Sequence, residues 1–487
     1  EIQGWMILIL GWVFVPFYTR SMVYTMPEFL ERRYNPQSRT ILSVISLVSY
    51  VLTKVAVTVY AGGLVFQQVF GIKELWGIDF FWIAAIGLVV LTALYTIFGG
   101  MKSVLYTSVL QTPILLLGSL IILVLGFKEL GGWDEMMRVC GAVTVNDYGD
   151  TMTNLIRSND DANFPWLGAL IGSAIIGFWY WCTDQFIVQR VLSGKNEMEA
   201  RRGTIFGAYL KLLPVFLFLI PGMIAFALHQ KYIGAGGEGF LPMLANGTAN
   251  ADAAFPTLVA KLLPAGVKGL VVCGILAALM SSLASLFNSS AMLFTIDFYK
   301  RFRPETPEKK LVGIGQVATV VIVILGILWI PIMRSVGDVL YTYLQDVQSV
   351  LAPGIAAAFL LGICWKRTSA QGGMWGLIAG MVIGLTRLGA KVYYSNAGEV
   401  ADSTFKYLFY DMNWLFFCGW MFLFCIIVVI VVSLATKAPT AEKIQGLVFG
   451  TATKEQKAAT RASWNHWDII HTVIILAITG AFYWYFW

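Results

Sequence analysis

An all-α polytopic membrane protein is the fold class that the sequence predicts, and three observations predict it. Hydrophobic residues make up 58% of the 487 and charged residues only 13%, with a mean hydropathy of +0.72, far too apolar for a soluble multi-domain chain. About twelve apolar segments recur along the chain, each near the ~20 residues that a helix needs to cross a bilayer. The connections between them alternate in charge, 21 Lys and Arg on one side against 7 on the other, which is the bias of cytoplasmic over outer loops.

In order, the segments fall at about 4–19, 40–70, 78–97, 104–127, 165–185, 204–228, 264–296, 311–333, 338–364, 371–393, 404–436 and 466–487. If the chain enters the cytoplasm after the first, the inner connections hold Arg20, Arg32, Arg33 and Arg39, then Lys102, Arg190, Lys195, Arg201 and Arg202, and further groups at 300–310, 366–367 and 437–461. Residues 1–487 then form one transmembrane unit, with outer loops at 128–164 and 230–263 and an inner loop at 437–465. The chain begins at Glu1 and turns apolar within three residues, so the sequence reads as truncated at its N-terminus. The net charge of +6 is a topology signal and implies no nucleic-acid partner. Six cysteines lack a CxxC spacing, His229, His466 and His471 lie near segment ends, and no GxxxxGK[ST] occurs. Zinc, haem and nucleotide-driven chemistry all lack their sequence marks, so an enzyme or ATP-driven pump is disfavoured.

Charged or strongly polar side chains inside apolar segments are costly, by about 2.5–3.5 kcal/mol for a full charge on insertion, so each is a candidate for a transport pathway. The densest group is "GILAALMSSLASLFNSS", where Ala278, Ser281, Ser282, Ser285 and Ser289 fall at i, i+3, i+4, i+7 and i+11 and form one stripe on a helix face. Close helix packing explains such a stripe as readily as an ion site does. Lys54 lies mid-segment with no role legible. Lys211 is either a pathway cation or a snorkelling one near the cytoplasmic interface, and Asp184 reads as structural. Gln345, Asp346 and Gln348 precede "APG", where Pro353 predicts a kink or break of the kind that transporters use to line a cavity. "FWYW" at 178–181 is an interfacial aromatic belt or a stacking surface for a sugar ring.

The stretches "GWVFVPFYTRSMVYTMPEFLERRYN", "ALYTIFGGMKSVLYTSVLQT", "FWYWCTDQFIVQRVLSGKN", "GAYLKLLP", "LMSSLASLFNSSAMLFTIDFYK" and "LGICWKRTSAQGGMWGLIAG" together closely resemble the sodium/glucose cotransporters of the sodium:solute symporter family. The resemblance runs in order over nearly the whole chain. It implies a LeuT-like core of five plus five inverted-repeat helices with extra C-terminal helices, fourteen in all, of which the first two precede Glu1. It also implies sodium-coupled symport of a glucose- or galactose-like monosaccharide, with the lipid bilayer as surroundings. Relatives carry other small solutes such as sialic acid, inositol or amino acids, and a sugar sensor or sodium-leak channel could stand on the same scaffold.

By the same resemblance, Na+ is held by the Ala278 carbonyl and the hydroxyls of Ser281 and Ser282. Lys211 and Gln345 match positions that bond sugar hydroxyls, Tyr180 matches a stacking inner gate with Trp181 beside it, and Tyr341 matches an outer gate. Gly177 and Gln348 stand where relatives place other hydrogen-bonding residues, Gln348 remaining a substrate-site candidate. Glu1 resembles a sugar-binding glutamate in type but falls one residue out of register. Ser108 replaces an aspartate common after "YT", so a second cation site at Ser108 and Ser285 would have no carboxylate, and one sodium per sugar is expected.

Overall fold

The computed structural model describes residues 4–23, 25–244, 247–336, 339–396 and 401–485. Its helices are α1 (Gly4–Ser21), α2 (Met26–Arg33), α3 (Pro36–Phe70), α4 (Phe80–Leu130), α5 (Trp133–Gly141), α6 (Trp166–Thr183), α7 (Gln185–Leu192), α8 (Glu197–Gly234), α9 (Ala254–Leu262), α10 (Ala265–Phe302), α11 (Glu308–Val336), α12 (Leu340–Cys364), α13 (Ala370–Asn396), α14 (Trp414–Ala435), α15 (Lys454–Ala462) and α16 (His466–Tyr485). Local sequence sets many of the starts. Asp79, Asp184 and Asn196 accept backbone N–H bonds at the heads of α4, α7 and α8, and Asn35 does so for α3 with Pro36 behind it.

Among the described residues ten helices are long and apolar enough to cross a membrane, and α1 with α2 forms an eleventh candidate bent by 72°. The shorter apolar stretch Phe80–Leu94 corresponds to the segment expected at 78–97, so each of the about twelve segments has its helical counterpart. The expected connection around Lys102 is different: α4 is helical for 51 residues, about 76 Å at 1.5 Å per residue and more than twice a bilayer's hydrocarbon thickness. Its two apolar ends, and not its whole length, are the membrane-scale pieces.

Pro353 does not break its helix. α12 is helical from Leu340 to Cys364, and the small residue beside the proline serves packing instead. A Cβ at Gly354 would lie 2.9 Å from Gly380 Cα, closer than real contacts allow, so α12 and α13 meet backbone to backbone. α14 closes on the same pair, and Val429 fills the space over Gly376.

Several arginines read as loop charges are interior ligands. Arg33, 1% exposed, donates to the carbonyls of Gly362 (2.7 Å), Trp365 (3.2 Å) and Thr368 (3.2 Å), satisfying the end of α12. Arg201 is equally buried and pairs with Glu197 at 2.8 Å. Helix ends that lack water need donors, and a guanidinium supplies several from one side chain.

The helices also widen repeatedly into π-turns, at Leu10–Phe14, Tyr50–Val55, Trp179–Thr183, Val215–Leu219, Leu293–Tyr299 and Tyr407–Asp411. Such turns free backbone groups and re-aim side chains, and they concentrate at functional positions. Four of them organise the site described next.

Candidate functional site

The π-turn Trp179–Thr183 at the end of α6 carries the aromatic run. Trp179 is 3% exposed, and Tyr180 and Trp181 are half-buried and pack against the adjoining apolar core. Tyr180 and Trp181 meet edge to face with centroids 5.2 Å apart. Lys211 lies fourteen residues into α8 from Glu197, roughly 21 Å along the axis at 1.5 Å per residue. Its ammonium stands 5.7 Å from the Trp181 ring centroid. Just beyond it, Pro214 leads into the π-turn Val215–Leu219. α12, with Gln345 half-buried and Gln348 buried, packs against the aromatic turn. Tyr341 on the first turn of α12 is 42% exposed. Glu1 lies outside the described residues.

Lys54, silent in the sequence, sits directly behind this surface. Its π-turn Tyr50–Val55 turns the ammonium onto the Asp184 carboxylate, which also accepts from the Tyr50 hydroxyl at 2.9 Å and the Phe186 N–H at 3.0 Å. Three rings surround the ammonium, with centroids 4.4 Å (Phe186), 4.6 Å (Tyr50) and 5.2 Å (Tyr180) away. Asp184 is therefore at once the cap of α7 and the counter-ion of Lys54. A buried pair of this kind fixes the backbone on which Tyr180 is mounted.

α7 carries the connection from the rings to the serine stripe. Gln189 donates to the Ser285 carbonyl at 3.3 Å and to the Ser289 hydroxyl, and Arg190 donates to the Ser285 hydroxyl while lying 4.9 Å from the Phe186 ring. One turn back along α10, Ser281 shares a 2.5 Å hydrogen bond with Ser108 of α4. Ala278 and Ser282 are half-buried beside it. The stripe therefore faces α4 and α7, with Ser281 near Ser108 and Ser285 already occupied by a guanidinium. By sequence Arg190 reads as a cytoplasmic loop charge; its interior position follows from the hydroxyl and ring that hold it.

Below the stripe, Asp297 in the π-turn Leu293–Tyr299 ties three elements together. It accepts from Thr25 at 2.9 Å and from Arg39 at 2.7 Å, and Arg39 also meets Glu31 at 2.6 Å. On the other side of the site, Asp346 pairs with Lys391 and lies 3.8 Å from Arg387, whose guanidinium donates to the carbonyls of Leu408 and Met412. Sequence reasoning missed Lys54, Gln189, Arg190 and this Asp346 cluster as parts of a network. Their partners lie 41 (387 − 346) to 130 residues away, where no periodicity reaches.

Comparison with known proteins bears on the family and the fold. Residues 2–380 match the family described as the sodium:solute symporter family. A sodium/mannose cotransporter of Bos taurus is 36% identical, the match covering 99% of this chain and 83% of that protein. Sodium/glucose cotransporter 1 of Ovis aries is 37% identical over 89% of this chain and 67% of its own length. Sodium/myo-inositol cotransporter 2 of Homo sapiens is 35% identical over 93% and 68%. Among solved structures, the substrate-bound outward-open state of a Na+-coupled sialic acid symporter shares the fold, with a TM-score of 0.68, 21% identity, and coverage of 90% of this chain and 84% of that one.

Proposed function

Because the chain belongs to the sodium:solute symporter family, we propose that it carries a glucose- or galactose-like monosaccharide into the cell together with sodium, by alternating access. At the coarser level it is a sodium-coupled solute symporter, a multi-pass membrane protein with Na+ as its coupling ion, and not an enzyme.

The observation that carries the sugar reading is the Lys211 ammonium over the Trp181–Tyr180 pair. A pyranose presents an apolar C–H face and a rim of hydroxyls. Flat rings cover the first, and an ammonium with the Gln345 amide bonds the second. Gln348 is assigned to the same rim and Tyr341 to the outer gate. The Ala278 carbonyl and the hydroxyls of Ser281 and Ser282 are assigned to sodium, a hard cation that takes oxygen ligands. Arg190 on Ser285 supports a coupling of one sodium per sugar, since it puts a fixed positive charge where a second cation would sit. Residues 128–164 and 230–263 then face outward and 437–465 inward.

Uptake of labelled glucose, galactose, mannose and myo-inositol into proteoliposomes tests the assignment. Sodium-dependent uptake of a hexose is expected, and uptake of myo-inositol in preference to every hexose would move the substrate to the cyclic polyols. Uptake unchanged when potassium or choline replaces sodium would overturn the coupling.

A further inference from the structure

An apolar groove of about 700 Å³ runs down the outside of the bundle between α3, the end of α10, and α11. Leu52, Ala318 and Ile322 form its buried floor, and Val317, Val321 and Leu325 are half to two-thirds exposed along its edge. All but one of its lining residues are apolar or glycine, and the exception is Lys310, in the first turns of α11. From Lys310 to Leu325 is fifteen residues, roughly 22 Å, which matches one leaflet's ~15 Å of hydrocarbon plus a headgroup.

The charged end is part of a larger feature. The connection "KRFRPETPEKK", 300–310, holds five basic and two acidic residues, a net +3, on the side that the charge bias assigns to the cytoplasm. Lys300, Arg301, Arg303, Lys309 and Lys310 are all exposed. Arg301 is committed to the Pro36 carbonyl and the Thr40 hydroxyl, and it thereby ties the foot of α3 to the foot of α10 directly under the groove. A cluster of this size at the cytoplasmic end of a membrane helix is the electrostatic mark of an anionic-lipid site. Charge and shape therefore coincide: a chain-length apolar channel opens onto a cationic rim.

We propose that this groove binds one acyl chain of an anionic glycerophospholipid of the cytoplasmic leaflet, with the phosphate held by Lys310 and Lys309. The groove has a direct mechanical relation to the transport site. Its α3 wall, Val51 and Leu52, is the outer face of the π-turn whose Lys54 holds Asp184, and its Phe294 belongs to the turn that follows the serine stripe. The lipid is thus a wedge beside two elements of the site, and its binding is a question separate from the identity of the substrate.

Native mass spectrometry of the purified protein, loaded with mixed phosphatidylglycerol and phosphatidylcholine, tests the site. One tightly retained lipid is expected, with phosphatidylglycerol favoured. Lys310→Gln, at an exposed position, reduces that preference about fivefold. Ala318→Phe fills the floor of the groove and removes the retained lipid of either kind. Equal retention of the two lipids by the wild type would overturn the headgroup assignment, and retention unchanged in Ala318→Phe would place the lipid elsewhere. A wild-type dimer that Ala318→Phe converts to monomer would assign the groove to a second copy of the chain and overturn the proposal.

Discussion

Replacing Lys54 with methionine keeps the apolar stem and removes the ammonium, leaving the Asp184 carboxylate buried without its counter-ion. The two side chains are 9% and 3% exposed, so water does not make good the loss. Removing one partner of a buried pair costs about 3–5 kcal/mol. Asp184 keeps the Tyr50 hydroxyl at 2.9 Å and the Phe186 N–H at 3.0 Å, and these charge-assisted bonds bring the expected loss to the lower end, about 3 kcal/mol. Asp184→Asn leaves the opposite charge stranded among three rings and costs a similar amount. The double variant buries no charge, and a buried pair replaced by neutral groups of similar shape is close to neutral. It should therefore be more stable than either single variant, which, with each single loss near ~3 kcal/mol, requires a coupling above ~3 kcal/mol in the double-mutant cycle. Thermal inactivation of purified protein, read alongside sugar uptake, measures both stability and the placement of Tyr180. A double variant that loses the sum of the two single losses would refute the reasoning.

Lys211→Ala and Gln345→Ala each remove a hydrogen bond to substrate worth roughly 1.5–3 kcal/mol, so the half-saturating sugar concentration rises about ten- to a hundred-fold while sodium binding is nearly unchanged. Wild-type uptake in Lys211→Ala would return that residue to a snorkelling role. Ser282→Ala raises the sodium requirement before it alters sugar preference, measured as uptake against sodium concentration; the reverse order would assign the stripe to the wrong ligand. Reversal potentials give one sodium per sugar in the wild type, because Arg190 already donates to Ser285, and a ratio of two would contradict that reading. In the loop before α6, burial pushes the Asp161 carboxyl up. The N–H groups of Phe164 and Asn163, the Asn146 amide and the Arg157 guanidinium outweigh burial and hold it below its usual range. Its stabilisation is thus present above the unfolded value near ~3.9 and lost as pH falls through the lower folded value. Proteolysis of this loop should accelerate only below about pH 4, or at pH 7 in Asp161→Asn; acceleration already near pH 6 in the wild type would contradict it.

What the sequence made legible follows the range of its physics. Apolar length identified the spans, since a helix in oil must bury its own backbone within about twenty consecutive residues. The stripe on α10 was legible because helical periodicity is local. At Pro353 the helix continues without a break, because a proline's lost hydrogen bond can be accommodated within a helix, and Gly354 meets Gly380 at this crossing. Lys54 and Arg190 were opaque for a related reason. A charge inside a span announces that it has a partner but not which one, and Asp184 lies 130 residues from Lys54 while Ser285 lies 95 from Arg190. Arg33 and Arg201 read as loop charges because composition cannot distinguish a solvated cation at a helix end from a buried one that bonds to it. The clue available in the sequence was their clustering beside Pro, Gly and Asn at segment ends.

The central claim is thermodynamic coupling, and concentrative flux tests it most directly. One charge crossing 100 mV contributes about 2.3 kcal/mol and a tenfold sodium gradient about 1.4 kcal/mol, together enough for a few-hundred-fold accumulation of a neutral solute. In proteoliposomes with inward sodium and an interior-negative potential, labelled hexose should rise well above its outside concentration. It should drain when an ionophore collapses the sodium gradient. Sugar that only equilibrates across the membrane, or a sodium current that flows without sugar accumulation, would contradict the symport account and leave a facilitator, a sensor or a leak channel in its place.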